Sequence, residues 1–333
     1  MLRNHFSCFG QIVSVLEVVG FFLAIPIVSS PSWAAGFPEK GKAIQMLVGF
    51  AAGGTTDVGA RMLASGLEKE FGTSVLVVNK PGASSQIAYT ALTQAKPDGY
   101  TIGNTNFPSA VVTYLDPARK ATFTRKSFEP LALHVIDPGL LAVKADSRFK
   151  TIKDVVEAAK ANPKKIRIST TGIQSDEAFA ILQFQKMTGA QFAMVHFSEG
   201  VAPAMTAFLG GKIEVFCGNV GDLLSQVKSG EVRILGIMDD EASPFYPGVK
   251  TFEEQGYKLY GSSSRGFAAP AGTPKEVVDI LSGAIKKVVA TEDHKKRMAD
   301  MGLTLRYMDP AQYSKYWNEY EVMLKELLPL TKE

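Results

Sequence analysis

The sequence predicts an α/β protein built as two lobes, each a mainly parallel sheet flanked by helices. Three observations support this prediction. The 333 residues exceed what one compact core usually holds, so two cores are expected. Hydrophobic residues make up 46% and charged residues 21% of the chain, as in ordinary globular proteins. Short apolar segments typical of buried strands alternate with helical patterns, and this alternation runs twice along the chain.

The first 34 residues have the pattern of a secretory signal peptide. The apolar run Val18–Val28 is too short for a comfortable membrane span. Ser32 and Ala34 place small residues at the positions that determine signal cleavage. We therefore expect residues 1–34 to direct export to the periplasm, with cleavage after Ala34 or Ala35. The alternative is a membrane anchor that is never cut.

The first alternation predicts a βαβαβ unit, and this order implies a parallel sheet with right-handed crossovers. Thr55 or Thr56 is expected to cap the first helix. Asp57 then lies in the first turn, where a negative charge is favourable, and Gly72 ends the helix. The predicted strands are Ala43–Phe50, Ser74–Val78 and Tyr100–Asn104, and the second helix carries Ile87, Ala88, Ala91, Leu92 and Ala95 at helical spacing.

The second alternation starts near Leu140 and predicts another α/β unit with a helical tail. Thr151 is expected to cap its first helix, and the pairs Thr273-Pro274 and Asp309-Pro310 to begin two C-terminal helices. The predicted strands are Leu140–Val143, Ile166–Ser169, Phe192–Phe197, Ile213–Cys217 and Val232–Met238, with helices over Ser175–Met187, from Pro203 to Gly210-Gly211 and over Leu223–Lys228.

The loops after the first three strands are the candidate ligand site of the first lobe. Parallel strands bring their carboxyl ends to one edge, where open α/β sheets bind ligands. Glycines let backbone amides approach a ligand, and helix N-termini favour anions. The alternative is that these glycines only make tight turns. The candidate residues are Phe50, Ala51, Gly53, Gly54, Thr55, Thr56, Asp57, Ser84, Ser85, Gln86 and Asn106.

The second lobe repeats this arrangement after its own strands. Two anion-friendly edges facing each other suggest a cleft that binds a molecule with a carboxylate at each end. The candidate residues of this lobe are Thr171, Gln174, Ser175, Ser198, Glu199, Gly200 and Asn219.

The sequence does not favour catalysis, a metal or cofactor, or nucleic-acid binding. No H-E-x-x-H, G-x-S-x-G or P-loop spacing occurs, so the usual zinc, serine-nucleophile and phosphate motifs are missing. His134 and His196 are expected to be structural, and His294, in a charged helix, to be solvated. Cys217 follows a buried type of strand and is expected to be an inert core thiol. The net charge of +3 is not concentrated into a basic stripe.

Several segments together resemble the periplasmic solute-binding proteins of tripartite tricarboxylate transporters, often called Bug receptors. The similarity extends over essentially the whole chain after the signal segment. It is most specific in Val48–Asp57 (VGFAAGGTTD), Asn79–Ile87 (NKPGASSQI), Lys96–Thr101 (KPDGYT), Phe149–Thr151 (FKT), Ala202–Gly211 (APAMTAFLGG) and Phe267–Pro274 (FAAPAGTP).

This resemblance implies a two-lobed periplasmic binding protein fold of type II, which closes like a flytrap. Lobe 1 would comprise residues 35–134 and 251–333, and lobe 2 residues 135–250, with the C-terminal helices packed on lobe 1. In the family, the loop matching 50–57 holds a ligand carboxylate through backbone amides and water. The loop at 84–86 is expected beside it, and the loops at 171–175 and 198–201 at the far end of the ligand.

The chain also departs from the family pattern at the expected site. Gly49 stands where proline is usual, and Ser84 and Ser85 stand where glycines are usual. Phe197 and Ser198 replace a common tyrosine–cation pair, which makes the distal pocket less polar. These differences point to an aromatic or otherwise less polar carboxylate rather than the ligand of any particular relative.

The expected function is therefore that of a monomeric extracytoplasmic receptor, without enzymatic activity. It would bind a small di- or tricarboxylate or an aromatic acid and deliver it to the membrane subunits of a secondary transporter. One alternative is a ligand sensor that docks on a sensor kinase with the same fold. The other is a secreted α/β hydrolase, which would need a nucleophile–histidine pair in the cleft.

Overall fold

A computed structural model describes residues 36–332 of the chain; the predicted signal segment, 1–34, lies outside them. The strands are β1 (Ile44–Val48), β2 (Val75–Asn79), β3 (Thr101–Phe107), β4 (Phe128–Lys144), β5 (Arg167–Thr170), β6 (Ala193–His196), β7 (Phe216–Asn219), β8 (Val232–Ile237), β9 (Ser262–Pro270) and β10 (Leu305–Met308). The helices are α1 (Thr55–Phe71), α2 (Gln86–Thr93), α3 (Ser109–Leu115), α4 (Ile152–Ala161), α5 (Asp176–Thr188), α6 (Val201–Leu209), α7 (Leu224–Lys228), α8 (Lys275–Val289), α9 (Glu292–Asp300) and α10 (Pro310–Leu327).

The predicted βαβαβ unit is present, with small differences at its helix ends. β1 lies between β2 and β3 and pairs with both in parallel. Helix α1 ends at Gly72, whose φ of 63° is the left-handed conformation expected there. Its N-cap, however, is Gly54 rather than Thr55 or Thr56, and no side chain caps it. The sequence did not predict α3 or β10.

The rest of the first sheet is antiparallel. β9 pairs antiparallel with β3 and with β4, and β10 pairs antiparallel with β4. The sheet order is therefore β10-β4-β9-β3-β1-β2. The prediction of a mainly parallel sheet therefore describes β1, β2 and β3, which lead into the candidate loops. The antiparallel strands β9 and β10 come from distant parts of the chain.

Strand β4 connects the two halves of the molecule. Phe128–Pro138 pairs with β9, whereas Gly139 and the residues after it pair with β7 and β8. The sequence predicted only Leu140–Val143, because prolines and polar residues interrupt the apolar pattern before it. The division into lobes at 134/135 and 250/251 stays a prediction; the change of strand partners falls between Pro138 and Gly139.

Each half has its own buried core, as the chain length predicted. In the first, Met46, Leu63 and Ile285 are at most 1% exposed. In the second, β5 and β6 pair in parallel, and Leu141 and Phe184 are completely buried. Burial of such apolar surface is the main force that stabilises each half. Within residues 36–332, no helix combines the length and apolarity needed to cross a bilayer.

Helix α10 packs its aromatic face against the sheet of the first half. Trp317 and Tyr313 are fully buried, and the ring of Trp317 lies edge-on to Phe107 with centroids 5.1 Å apart. Edge-to-face aromatic pairs of this kind add to the stabilisation from burial alone. The C-terminal tail therefore covers the strand that ends at the candidate site.

The prediction that His294 is solvated is wrong. His294 and His134 are each 2% exposed, and their Nε2 atoms are 2.8 Å apart. One ring must donate and the other accept, which requires an uncharged acceptor. Burial lowers the pKa of His134 to about 3 and also lowers that of His294. His294 faces the sheet from a helix whose other residues are mostly charged, so composition alone suggested a surface position.

Candidate functional site

A cavity of about 930 Å³ opens between the loops that follow β1–β3 and those that follow β5 and β6. This volume is within the range of small-molecule pockets. The first set of loops, with strand β9, forms one wall and the floor, and the second set forms the opposite wall. The lining residues are Phe50, Gly54, Thr55, Thr56, Ser84, Asn106, Phe107, Pro108, Ser109, Val112, Arg119, Thr171, Gly172, Ile173, Gln174, Ser175, Asp176, His196, Ser198, Ser263 and Arg265.

Helix α1 points its N-terminus at this cavity. The first of its N–H groups to bond within the helix is that of Val58, which donates to the Gly54 carbonyl at 2.9 Å. The N–H groups of Thr55 and Thr56 precede it, and both residues line the cavity. Unpaired N–H groups at the positive end of a helix dipole favour an anion.

Asp57 holds the first loop, residues 50–57, in place through hydrogen bonds. Its carboxylate accepts hydrogen bonds from the Gly53 N–H at 2.8 Å, from Arg61 Nε at 3.0 Å and from Asn79 Nδ2 at 2.8 Å. Burial opposes ionisation of Asp57, but these hydrogen bonds outweigh it and lower the pKa. Asp57 is 2% exposed and does not line the cavity. Its charge therefore fixes the loop that a ligand would meet.

The loop before α2 has an unusual backbone and contains one side of a contact between two departures from the family pattern, Gly49 and Ser85. Ala83, Ser84 and Ser85 all have positive φ, between 47° and 73°. Ser85 Oγ donates to the Gly49 carbonyl at 3.1 Å. A Cβ on residue 49 would lie only 2.5 Å from that Oγ. Gly49 and Ser85 thus fit each other, and Ser84 is left on the cavity wall.

Asn106, at the end of β3, joins the two loops to the floor. Its Nδ2 donates to Thr56 Oγ1 at 3.1 Å, while its Oδ1 is buried and has no partner within residues 36–332. Asn106 and Arg265 are directly opposite each other on the paired strands β3 and β9. Directly opposed residues project from the same face of a sheet, and both line the cavity.

Gln174 links the two walls. Its Oε1 accepts from Arg119 Nη2 at 2.8 Å, and its Nε2 donates to Asp116 Oδ2 at 2.9 Å. The bond from Gln174 is the largest of the effects that lower the pKa of Asp116. Arg119 and Asp116 follow α3, whereas Gln174 precedes α5. The structure therefore has a hydrogen-bonded bridge at the rim of the cavity.

The wall contributed by the second half is lined mainly by polar side chains. Ser175 caps α5 by accepting from the Ala178 N–H, and Thr171 Oγ1 donates to Glu177 at 2.8 Å. His196 Nδ1 lies 2.6 Å from Thr170 Oγ1. The ionisable group next to Ser175 is Asp176, whose pKa is raised well above its usual range by burial and then by Glu177. This wall therefore presents hydroxyls and a carboxyl group that burial favours in its neutral form.

The floor carries Arg265, which the sequence analysis did not identify. Its side chain is 12% exposed, and among residues 36–332 its one ionic contact is Nη2 to Asp137 Oδ2 at 3.8 Å. Nε and Nη1 have no partner within residues 36–332. Burial raises the pKa of Asp137 to about 7 and that of Asp222 to about 6. Arg265 is thus a mostly buried cation whose neighbouring acids have raised pKa values.

The structure brings part of the predicted site together. The predicted residues on the cavity wall are Phe50, Gly54, Thr55, Thr56, Ser84, Asn106, Thr171, Gln174, Ser175 and Ser198. Those outside the lining are Ala51, Gly53, Asp57, Ser85, Gln86, Glu199, Gly200 and Asn219.

Most of the residues outside the lining have structural contacts instead. Gln86 donates to the Arg119 carbonyl, and Asn219 donates to the Asp137 carbonyl and to Asp176. Gly200 is the N-cap of α6. The sequence also missed the residues that α3, the segment after it and β9 supply, because neither α3 nor the start of β9 was predicted. Within the described part of the chain, no group of three metal-ligating side chains could hold an ion.

Two α/β halves that share crossing strands and enclose a polar cavity are the architecture of periplasmic solute-binding proteins. The chain belongs to the tripartite tricarboxylate transporter receptors (TctC), since the model described as "Tripartite tricarboxylate transporter family receptor" matches residues 59–328. The protein BugT of Bordetella pertussis is 29% identical over 302 residues, 90% of this chain and 91% of BugT.

Solved structures agree with this assignment. A ligand-free TctC solute-binding protein from Polaromonas superimposes with a TM-score of 0.79 and is 26% identical, covering 88% of this chain and 99% of that one. Two proteins of Rhodopseudomonas palustris share the fold: MatC with bound malate (24% identical, TM-score 0.70, covering 87% and 99%) and Rpa4515 with adipate (21%, 0.69, covering 89% and 98%). The protein is a solute receptor by family and fold, not an enzyme.

Proposed function

We propose that this receptor binds a small carboxylate in the cavity between its two halves and delivers it to the membrane subunits of a tripartite tricarboxylate-type transporter. The observation that carries the proposal is the composition of the cavity wall. The N-terminus of α1 and two arginines, Arg119 and Arg265, face the same space. Both features favour a carboxylate.

The acids near the cavity do not cancel this preference. Asp176 lines the cavity and Asp137 lies beside Arg265, but burial raises the pKa of both. A raised pKa reduces the ionised fraction of a carboxyl group, and this reduction weakens its repulsion of an anion. The structures of MatC with malate and Rpa4515 with adipate support the same ligand class for this chain.

The mode of action follows from the bridge between the walls. A ligand that contacts both halves stabilises the closed form in proportion to its extra contacts there. We propose that the closed form is the one that docks on the transporter, that the protein is a monomer, and that it acts in the periplasm after removal of the segment 1–34. Cell fractionation and light scattering of the purified protein test the last two points.

Thermal-shift screening of mono-, di- and tricarboxylates tests the ligand class. At least one carboxylate is expected to raise the Tm, because a ligand that binds only the folded state stabilises it. Native mass spectrometry of the freshly purified protein should show a bound small acid. If amines and sugars stabilise the protein and no carboxylate does, the proposed function is wrong.

Gly54→Leu tests the place of binding. A Cβ at Gly54 would meet only the Ala51 carbonyl oxygen, at 3.6 Å, so the fold tolerates a side chain there. The leucine would cover the N–H groups of α1, and we expect about 10-fold weaker carboxylate binding or more. Gly283→Leu is the matched control, because Gly283 lies outside this cavity and its Cβ would meet nothing within 4 Å. Equal affinity of the two variants in calorimetry would refute the placement.

A further inference from the structure

A second, smaller cavity of about 290 Å³ lies between helix α5 of the second half and helix α10 of the first. The segment 260–262, which leads into β9, completes its wall. We call it the α5–α10 cavity. Its volume is near the lower end of the range for small-molecule pockets, which often lie where two parts of a protein meet. The cavity can therefore hold a small molecule that contacts both halves.

Much of the wall of the α5–α10 cavity is aromatic or apolar. Helix α5 contributes Phe179, which is 1% exposed, and α10 contributes Tyr316, Tyr320 and Met323. The rings of Tyr316 and Tyr320 pack against each other with centroids 5.7 Å apart. Aromatic rings and a methionine thioether make favourable contacts with apolar and aromatic groups. This part of the wall suits the apolar body of a ligand.

The polar side chains of α5 and α10 on this wall offer hydrogen-bond acceptors. Asp176 Oδ2 accepts from Asn219 at 3.1 Å, while Oδ1 accepts from no other residue of the segment 36–332. Glu319 lies 3.9 Å from Lys315, which is longer than a hydrogen bond. Gln183 donates its Nε2 to a methionine sulfur at 3.2 Å, and its Oε1 receives no donor from the described residues. A ligand that complements these groups carries donors.

The charges of the lining favour a cation. Asp176 and Glu319 line the α5–α10 cavity, whereas no lysine, arginine or histidine of the described residues does so. Burial raises the pKa of Asp176, and Glu177 adds to this effect, so the ionised form of Asp176 is poorly compensated. An ammonium group combines a positive charge with up to three donors. It would offset the cost of ionising a buried carboxyl group.

We propose that the α5–α10 cavity binds a small primary ammonium compound with an apolar body. The ammonium group donates to Asp176, and the body lies against Phe179, Tyr316 and Tyr320. This site goes beyond the carboxylate function and does not depend on it, because it holds a ligand of opposite charge in a different cavity. A compound that contacts both α5 and α10 also stabilises the arrangement of the halves in which these helices are close.

The test is an NMR titration with phenethylammonium and phenethyl alcohol at neutral pH. The two probes share the apolar body and differ in the charged donor. The wild-type protein should bind the ammonium compound about 10-fold more tightly or better, as expected for a hydrogen bond between charged groups. Asp176→Asn keeps the size of the side chain and removes its charge. It should lose most of that preference and leave the affinity for the alcohol within about two-fold.

The same titration locates the ligand when the methionine methyl groups carry carbon-13. Met323 lines the α5–α10 cavity, so its methyl resonance should shift next to the ring of the probe. Met46 is completely buried in the core of the first half, and its resonance should stay in place. Met323→Leu assigns the resonance. Glu326→Gln is the matched control for Asp176→Asn, because it removes an exposed carboxylate of α10 outside this cavity and should keep the preference.

Each other outcome overturns the proposal. Equal affinity for the two probes would show that the acids of the wall do not select a cation. Binding without a shift of the Met323 resonance would place the ligand elsewhere. Both of these results come from the wild-type protein and do not depend on how a variant folds. An unchanged preference in Asp176→Asn would refute the role of Asp176. None of these results changes the expectation for carboxylates, which the thermal-shift screen tests separately.

Discussion

Asp57 lies behind the first loop and Arg265 lines the cavity, and the surroundings of these two charges differ sharply. Asp57 accepts hydrogen bonds from Gly53, Arg61 and Asn79, and its pKa is lowered because they outweigh burial. Within the described residues 36–332, Arg265 has one long ionic contact, and its Nε and Nη1 groups have no partner. A charge whose hydrogen bonds are complete within the chain holds structure. A buried charge whose hydrogen bonds are incomplete carries a desolvation cost that the fold does not offset.

This comparison separates residues that build the site from residues that contact its occupant. The sequence analysis placed Asp57 among the ligand-binding candidates and did not include Arg265. Both are charged residues near glycines and small hydroxyl residues in the sequence, and their roles differ in the contacts that folding gives them. The difference can be tested by measuring stability at one residue and affinity at the other.

The largest effect is expected for Asp57→Ala. The substitution leaves the Gly53 N–H without its acceptor. It also removes one of the two acceptors of Asn79 Nδ2 and one of the two partners of Arg61. The free energy of unfolding should fall by about 3 kcal/mol, measured by urea denaturation. Glu157→Ala is the matched control: its pair with Lys153 is also i,i+4 but fully solvated, 75% and 64% exposed, and should matter by about 0.5 kcal/mol or less. Equal losses in the two variants would contradict the structural role of Asp57.

The next effect is a pH dependence that comes from the surroundings of Arg265. Burial raises the pKa of Asp137 from 3.8 to about 7, so the folded protein keeps a proton that the unfolded chain loses above pH 4. The stability contributed by this group is therefore complete below pH 4 and is lost as the pH rises towards 7. Arg265 and the Gly221 N–H oppose the shift, and Asp222 and Glu177 reinforce it.

Asp137→Asn isolates this contribution. Between pH 5 and pH 7 the wild type should lose stability relative to the variant by about 1 kcal/mol per pH unit, measured by denaturation at each pH. The difference between the two proteins cancels the opposite contribution of the histidines, whose pKa values burial lowers. Parallel pH profiles of the two proteins would show that Asp137 is ionised throughout.

The smallest effect is expected for Gln174→Ala, which removes the bridge between the walls. Two hydrogen bonds are lost, so the closed form should be less favoured by about 1 kcal/mol. Carboxylate affinity should then fall by about five-fold through a smaller closed fraction, with a larger radius of gyration in X-ray scattering. Gln94→Ala, at an exposed position outside the cavity, should change neither. An unchanged affinity for Gln174→Ala would show that the bridge does not contribute to closure.

The sequence was a good guide where structure depends on neighbouring residues. The βαβαβ order, Gly72 as a helix end, and the convergence of the loops at Gly54 and Ser84 all follow from local patterns. Contacts between distant segments were not predictable in this way. Arg265 meets Asn106 through strand pairing, and His134 meets His294 across 160 positions.

The errors share one physical cause. β4 contains Pro130, His134 and Pro138, which argue against a strand when read alone, yet pairing with β9, β7 and β8 overrides that preference. Strand propensity depends on the partners that a segment finds. The floor of the cavity is built from such long-range pairs, and it was the part of the site that the sequence analysis missed.

A crystal structure with a bound carboxylate tests the central claim most directly. The carboxylate should accept hydrogen bonds of about 2.8 Å from the N–H groups of Thr55 and Thr56 at the start of α1. A carboxylate bound elsewhere, with these N–H groups facing only solvent, would contradict the account.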